Sequence, residues 1–188
     1  MSNTPYDLLW PRLWPKGARP NVWAIIDCAR DPQAWSTLYS STLLRECLYA
    51  GSLHPQLERV APYLVHLEFG DSQTIRLLSR SWGNSWGIFL RCGSSMPSLR
   101  KHLRKFLRVT GPKGAPLVFR YYDPRVARVF LPTCSAMQLD QLFGPIESIF
   151  AEDDPPEHLL EFSVDDARQS LQTTKIVLAE PVAPRTRP

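Results

Sequence analysis

The chain alternates short apolar runs with longer segments in which apolar residues recur every three or four positions. The short runs are too brief for buried helices, and several are rich in β-branched and aromatic residues, so they predict strands. The longer segments predict amphipathic helices. The predicted strands cover residues 22–28, 62–69, 86–92, 116–122, 145–152 and 158–164.

Capping residues set the expected helix boundaries. Asp31 followed by Pro32 predicts a helix start, because Asp accepts free N–H groups of the first turn and Pro suits its first position. We expect this helix to end at Gly51. Asp123 and Pro124 repeat the same signal. The remaining predicted helices run from 71 to 83, from Ser94 or Ser95 to Arg108, and from Thr133 to Gly144.

This alternation of strands and helices predicts the α/β class, with a largely parallel central sheet flanked by helices. Residues 145–152 and 158–164 are separated only by a short turn, so they are expected to form an antiparallel hairpin at the C-terminal edge. The expected organisation has three parts. They are a Pro/Trp-rich arm over 1–21, the α/β domain over 22–166, and a short C-terminal extension with a disordered tail over 167–188.

Proline and tryptophan dominate the N-terminal arm. Four prolines in the first 20 residues argue against a regular helix, since proline fixes φ and removes a hydrogen-bond donor. The pattern Leu-Trp-Pro occurs at 9–11 and again at 13–15. We expect an extended arm whose tryptophans dock, either on the chain's own core or on a partner.

The composition is that of a globular protein with one domain of ordinary size. The chain has 188 residues, of which 44% are hydrophobic and 21% charged. No apolar run reaches the ~18 residues of a membrane span, and the N-terminus lacks the pattern of a secretory signal. We therefore expect a cytoplasmic protein without membrane contact. Four widely spaced cysteines form no CxxC pair, so buried thiols are favoured over a metal or redox site, and no cofactor is expected.

Charge is strongly segregated along the chain. The net charge is only +4, yet residues 94–128 hold nine cations and one anion, whereas residues 129–167 hold nine anions and neither Lys nor Arg. Such a division either neutralises itself within the fold or presents two surfaces to charged partners.

The segment 98–108 is the clearest basic feature. In a helix, Arg100, Arg104 and Arg108 form one outer row, and Lys101 and Lys105 form a second beside it. Like charges at this spacing cost about 0.2–0.5 kcal/mol per pair in an isolated helix, so the face invites anions. These are nucleic acid, a membrane surface, an acidic protein or the chain's own carboxylates. Nucleic acid is disfavoured because Phe106, the one aromatic residue among these cations, falls on the inner face.

No catalytic motif is present, and the four histidines have no metal-binding spacing. Attention therefore falls on VFRYYDPRV, residues 118–126. Asp123 is explained as a helix cap. Arg120, at the end of an apolar strand, and Arg125, in the first helical turn, could both reach its carboxylate. The stretch then defines the fold, at the kind of strand end where α/β proteins place binding surfaces.

Several stretches together resemble the bacterial type VI secretion effector chaperones and adaptors of the Tap or TEC group, long labelled a domain of unknown function. They include WAIIDCA (23–29), APYLVHL (61–67), SLRKHLRKFLRV (98–109) and VFRYYDPRV (118–126). The resemblance spans roughly 22–150, and FRYYDPR is its most specific part. Many relatives carry a longer C-terminal lobe.

The resemblance implies a non-enzymatic protein that binds a toxic effector in the producing cell and helps load it onto the VgrG spike protein. Asp27 and Asp123 with Pro124 are then structural. The alternatives are a metal-dependent nuclease using Asp123 and a nucleic-acid-binding module using the 100–108 helix. The expected partner-binding residues are Arg100, Lys101, Arg104, Lys105, Arg108, Arg120, Tyr122 and Arg125.

Overall fold

The computed structural model describes residues 5–17 and 20–178. Seven strands form the main sheet, in the order β2-β3-β1-β4-β7-β8-β9, and β5 and β6 form a separate two-stranded hairpin. The strands are β1 (Val22–Asp27), β2 (Arg45–Cys47), β3 (Pro62–Leu67), β4 (Gly87–Cys92), β5 (Arg108–Thr110), β6 (Pro116–Val118), β7 (Ile146–Glu152), β8 (His158–Val164) and β9 (Leu171–Val177).

The expected parallel sheet is wrong, because every strand pair in the described chain is antiparallel. The central strand β1 pairs Val22 with Leu67 of β3 and Ile25 with Ile88 of β4. All six of its residues are buried. A continuous apolar run is usual for parallel sheets, which are covered on both faces. Here helices cover both faces of an antiparallel sheet, so the same pattern arises without parallel pairing.

Residues 5–17 and 20–178 contain seven α-helices, of which all but the short third one supply the two covering layers. One apolar core contains residues of the first, second and fourth helices, and the other contains residues of the last three. The helices are α1 (Pro5–Leu13), α2 (Pro32–Tyr39), α3 (Pro55–Glu58), α4 (Ser72–Ser81), α5 (Met96–Leu103), α6 (Pro124–Phe130) and α7 (Ala136–Phe143). None of the helices within 5–17 and 20–178 has the length and apolarity needed to cross a bilayer.

Helix starts were predicted better than helix ends. Asp31 and Asp123 cap α2 and α6 as expected, each accepting a backbone N–H two residues ahead. The cap of α7 is Ser135 rather than Thr133. The helix expected to reach Gly51 ends at Tyr39, and the chain instead returns along the sheet as β2.

The segment around the basic helix also differs from expectation. The regular α-helix stops at Leu103, one 3₁₀ turn follows over Arg104–Phe106, and Arg108 begins β5. The strand predicted over 116–122 is a strand only over Pro116–Val118, where it pairs with β5 outside the main sheet. Residues 119–122 connect this hairpin to α6.

The described part of the N-terminal arm folds onto the chain's own core. Residues Pro5–Leu13 form a helix despite Pro11, so the expectation of an irregular arm is wrong. Trp14 is only 5% exposed, and the Trp10 ring lies 5.3 Å from that of Phe69. Buried apolar contacts thus outweigh the local cost of an internal proline.

The C-terminal part of the chain completes the sheet. Strands β7 and β8 pair antiparallel, but the edge position belongs to β9, within the region expected to be an extension. The expected disordered tail beyond residue 178 lies outside the described residues, as do residues 1–4 and 18–19 of the arm.

Candidate functional site

The predicted site residues form two groups, which we call the arginine cluster and the basic groove. The arginine cluster contains Arg120 and Arg125 with the carboxylates of Asp27 and Asp123. The basic groove is an open depression of about 840 Å³ above α5. Its cations are Arg100, Lys101, Arg104, Lys105 and Arg108.

Asp27 anchors the arginine cluster at the end of β1. Its carboxylate is 2% exposed and accepts hydrogen bonds from the Ala29 N–H, at 3.0 Å, and from Arg120 Nη1, at 3.3 Å. Burial raises the pKa of Asp27, although both donors act in the opposite direction. The expected pairing of Arg120 with Asp123 is therefore corrected. Arg120 pairs with Asp27, and half of its side chain remains exposed.

Asp123 forms a closed unit with Arg125. One carboxylate oxygen accepts from both the backbone N–H and Nε of Arg125, each at 2.9 Å, and the other accepts from Nη2. Burial raises the pKa of Asp123, but these hydrogen bonds outweigh it and leave the pKa below its ordinary value. The Arg125 side chain stays 47% exposed. Both arginines thus hold a carboxylate on one side and face solvent on the other.

The tyrosine pair between these arginines lies inside the protein. Tyr121 is 5% exposed and its hydroxyl donates to the Leu103 carbonyl oxygen at 2.9 Å. Tyr122, expected at the partner interface, is only 1% exposed. It lies in the core cluster against which Tyr49 packs, and the carbonyl oxygen of Tyr49 accepts from Arg100. Tyr122 therefore supports the site from the core and does not contact solvent.

Among the residues that the structure describes, one cation of the basic groove pairs with a carboxylate. Arg100 donates to the carbonyl oxygens of Cys47, at 2.6 Å, and Tyr49, at 3.0 Å, and lies 3.2 Å from the Glu46 carboxylate. Its role is to join α5 to the end of β2. Because these partners are distant in sequence, the local pattern of charges did not indicate the pairing.

The other four cations have no carboxylate within 4.0 Å among residues 5–17 and 20–178. Five of the nine acidic residues in 129–167 pair with cations outside this groove, as in the contacts Arg91–Glu161, Arg128–Asp154 and Lys175–Asp153. The chain's charge segregation is therefore not cancelled by ion pairs at this groove. The unpaired cations are Lys101, Arg104, Lys105 and Arg108.

Apolar side chains from several elements line the rest of the basic groove. Pro97 comes from α5, Leu57 from α3 and Val118 from β6. Both Leu57, 43% exposed, and Val118, 57% exposed, are large apolar groups in contact with solvent. The groove therefore offers apolar contact area beside positive charge, which single-sequence reasoning about the helix alone did not reveal.

A second groove, of about 780 Å³, was not anticipated from the sequence. We call it the apolar groove. Its lining includes Phe106, Val109, Phe119, Phe130 and Leu142. Two glutamines, Gln138 and Gln141, are its neutral polar members, and Lys105 and Arg108 belong to both grooves. Val109 is 40% exposed in this groove, and no sequence pattern indicated it.

The described residues offer little for metal chemistry. Within 5–17 and 20–178, no three His, Cys, Asp or Glu side chains are grouped so that they could hold an ion. Burial raises the pKa of the Cys28 thiol to about 12, so this cysteine is a core residue rather than a nucleophile.

Comparison with known proteins gives a family. Residues 22–141 match the model described as a domain of unknown function, DUF4123. No curated protein and no solved structure gives a significant match. The matched range begins with β1 and ends within α7. It therefore contains the arginine cluster and all five cations of the basic groove, whereas α1 and strands β7 to β9 lie outside it.

Proposed function

Since this chain belongs to the family described as the domain of unknown function DUF4123, we propose that it is a cytoplasmic chaperone or adaptor for a type VI secretion effector. In this role it binds the effector in the producing cell and helps load it onto the VgrG spike protein. The type VI assignment rests on the resemblance carried by FRYYDPR and its flanking stretches, which fall within the matched range.

The observation that carries a binding role is the basic groove. Four cations without a carboxylate partner in the described chain stand beside exposed apolar side chains. Four like charges on one surface repel one another, which is unfavourable for the isolated protein. A partner with complementary charge relieves this cost and gains association rate and specificity. The groove is thus suited to an acidic protein surface.

The arginine cluster is the second part of the proposed interface. Arg120 and Arg125 each use one side to hold a buried carboxylate and leave about half of the side chain in solvent. Guanidinium groups fixed in this way are pre-organised, so less conformational entropy is lost when a partner carboxylate binds them. Tyr122 contributes by supporting the cluster from the core.

The test is co-purification from the producing strain with VgrG and with a toxin that mass spectrometry identifies. We expect wild-type chain to retain the effector, and the double variant Arg120→Ala, Arg125→Ala to retain several-fold less while remaining folded. The matched control is Arg12→Ala with Arg76→Ala, two exposed arginines on helices that cover the other face of the sheet. In the producing strain, deletion of the gene should abolish delivery of that effector alone.

Two results would overturn this assignment. One is the absence of any complex with the effector together with unchanged effector delivery after deletion. The other is binding of duplex or single-stranded DNA with a steep salt dependence, because the four unpaired cations also suit phosphates. A nuclease centred on Asp123 has less support, since both of its oxygens already accept hydrogen bonds from Arg125.

A further inference from the structure

We infer that the basic groove and the apolar groove form one continuous recognition surface for a partner segment in which acidic residues stand between two apolar groups. This inference rests on the proposed function, since it names the chemistry of the effector segment that the chain would bind. The observation behind it is that two separate depressions share the same two cations, Lys105 and Arg108.

The β5–β6 hairpin separates the two grooves. Successive side chains of a strand point to opposite faces, so Arg108 and Val109 of β5 face opposite ways. Val118 pairs with Arg108 and lines the basic groove, while Val109 lines the apolar groove. The long side chains of Arg108 and Lys105 reach both depressions. The hairpin is therefore a ridge that carries positive charge, with an apolar surface on each side.

This ridge combines exposed apolar side chains with cations that have no carboxylate partner in the described part of the chain. Val109 is 40% and Val118 57% exposed, and Leu117, between them in the hairpin, is 48% exposed. Neither Lys105 nor Arg108 has a carboxylate within 4.0 Å in the described part of the chain. Clustered apolar exposure beside unpaired charge marks an interaction surface rather than a solvated face.

The chemistry of the two sides selects the occupant. A nucleic acid carries phosphates along its whole length, yet the polar groups of the apolar groove other than the shared cations are the neutral amides of Gln138 and Gln141. A bilayer surface is flat on this scale and does not fill depressions on both sides of a ridge. A peptide segment can do both, because its carboxylates meet the ridge while its apolar side chains enter the grooves.

The probes are short fluorescein-labelled peptides. The first has two Leu-Phe blocks joined by a Glu-rich centre, the second replaces Glu by Lys, and two others each replace one block by Ser-Gly. Fluorescence anisotropy with the full chain measures binding at low and at physiological salt. We expect the first peptide to bind, the Lys peptide not to bind, and each single-block peptide to bind at least about tenfold more weakly, a loss of about 1.4 kcal/mol.

Variants of the chain assign each block to a groove. Lys105→Glu with Arg108→Glu should weaken binding of the first peptide more than tenfold, whereas the control Arg12→Glu with Arg76→Glu should leave its binding unchanged. Val109→Ser should weaken binding of the two-block peptide and of one single-block peptide, and should leave binding of the other single-block peptide unaffected. Val118→Ser should show the reverse preference between the two single-block peptides. All six substituted positions are exposed, so circular dichroism should show each variant folded.

The inference is overturned if the Lys peptide binds as well as the Glu peptide, if the charge-reversed ridge binds normally, or if both serine variants weaken all peptides alike. Effector co-purification is measured on the same variants. An effector that still co-purifies with the charge-reversed ridge leaves the proposed function standing and removes only this surface. Peptide binding without any effector complex supports this surface and counts against the proposed function.

Discussion

Asp123 offers a direct test of how the FRYYDPR stretch is held together. Its carboxylate does two things, capping α6 through the Arg125 backbone N–H and pairing with the Arg125 guanidinium. Removal of an N-cap carboxylate costs about 1 kcal/mol. The guanidinium is nearly half exposed, so solvent screening limits the ion pair to about 0–1 kcal/mol. We therefore expect Asp123→Ala to lower the free energy of unfolding by about 1–2 kcal/mol.

Two further substitutions separate the contributions. Asn is as good a cap as Asp, so Asp123→Asn should lose only the ion pair and cost less than about 1 kcal/mol. Arg125→Ala should lower the free energy of unfolding by about the same amount. The double variant Asp123→Asn, Arg125→Ala should lower it no more than either single variant, because both substitutions remove the same interaction. Arg128→Ala is the matched control. Arg128 lies on the same helix and pairs at 3.5 Å with an exposed carboxylate, so little change is expected.

The pH dependence of stability tests the same interaction independently. The folded-state pKa of Asp123 lies below the ordinary value of 3.8. A depressed pKa means that the stabilisation is fully present above that ordinary value and is lost as the pH falls through the folded-state pKa. The stability difference between wild type and Asp123→Asn should therefore be constant near neutral pH and shrink below about pH 4.

Urea unfolding followed by tryptophan fluorescence measures all of these variants, since the chain has six tryptophans and several are buried. An Asn variant as unstable as the Ala variant would show that the cap contributes nothing. A stability difference that persists unchanged at acidic pH would show that the Asp123 charge is not involved.

Three further substitutions and modifications probe the rest of the fold. Gly87→Ala should destabilise by about 3 kcal/mol in urea unfolding, because a Cβ there would lie 1.8 Å from the carbonyl oxygen of Ile25 on the adjacent strand; a stable, soluble variant would contradict this packing. Cys28, with its pKa raised to about 12, should resist alkylation at pH 8 in the native protein and react once urea unfolds it, as read by mass spectrometry. Trp14→Ala should cost about 3–5 kcal/mol, since this side chain is buried against the core, whereas an arm reserved for a partner would tolerate the change.

The positions of charged residues can be read from a sequence, whereas the ion pairs they form cannot. The basic segment 98–108 was identified from its spacing alone, and its cations do line one groove. The spacing was nonetheless read on a helix that stops at Leu103. Which cation is neutralised depends on Arg100 meeting Cys47 and Tyr49, more than 50 residues away in sequence, and periodicity carries no such information.

The same limit applies to the tyrosines and to the second groove. Tyr122 is amphipathic and stands between Tyr121 and Asp123, so its sequence context fits a surface or a core equally well, and only packing makes it 1% exposed. The apolar groove is built from α7, the residues around β5, Phe119 before α6 and Phe130 at the end of α6. No local pattern could bring these segments together.

The sequence by itself determined the features that are set within a few residues. Asp followed by Pro started α2 and α6, and the five-residue apolar run 22–26 made β1 a strand buried on both faces. The tertiary structure decided strand direction, because burial on both faces gives one pattern for parallel and antiparallel pairing alike. It also decided that the arm around Pro11 is helical and docked, and which cations lack a partner, because burial and ion pairing depend on residues distant along the chain.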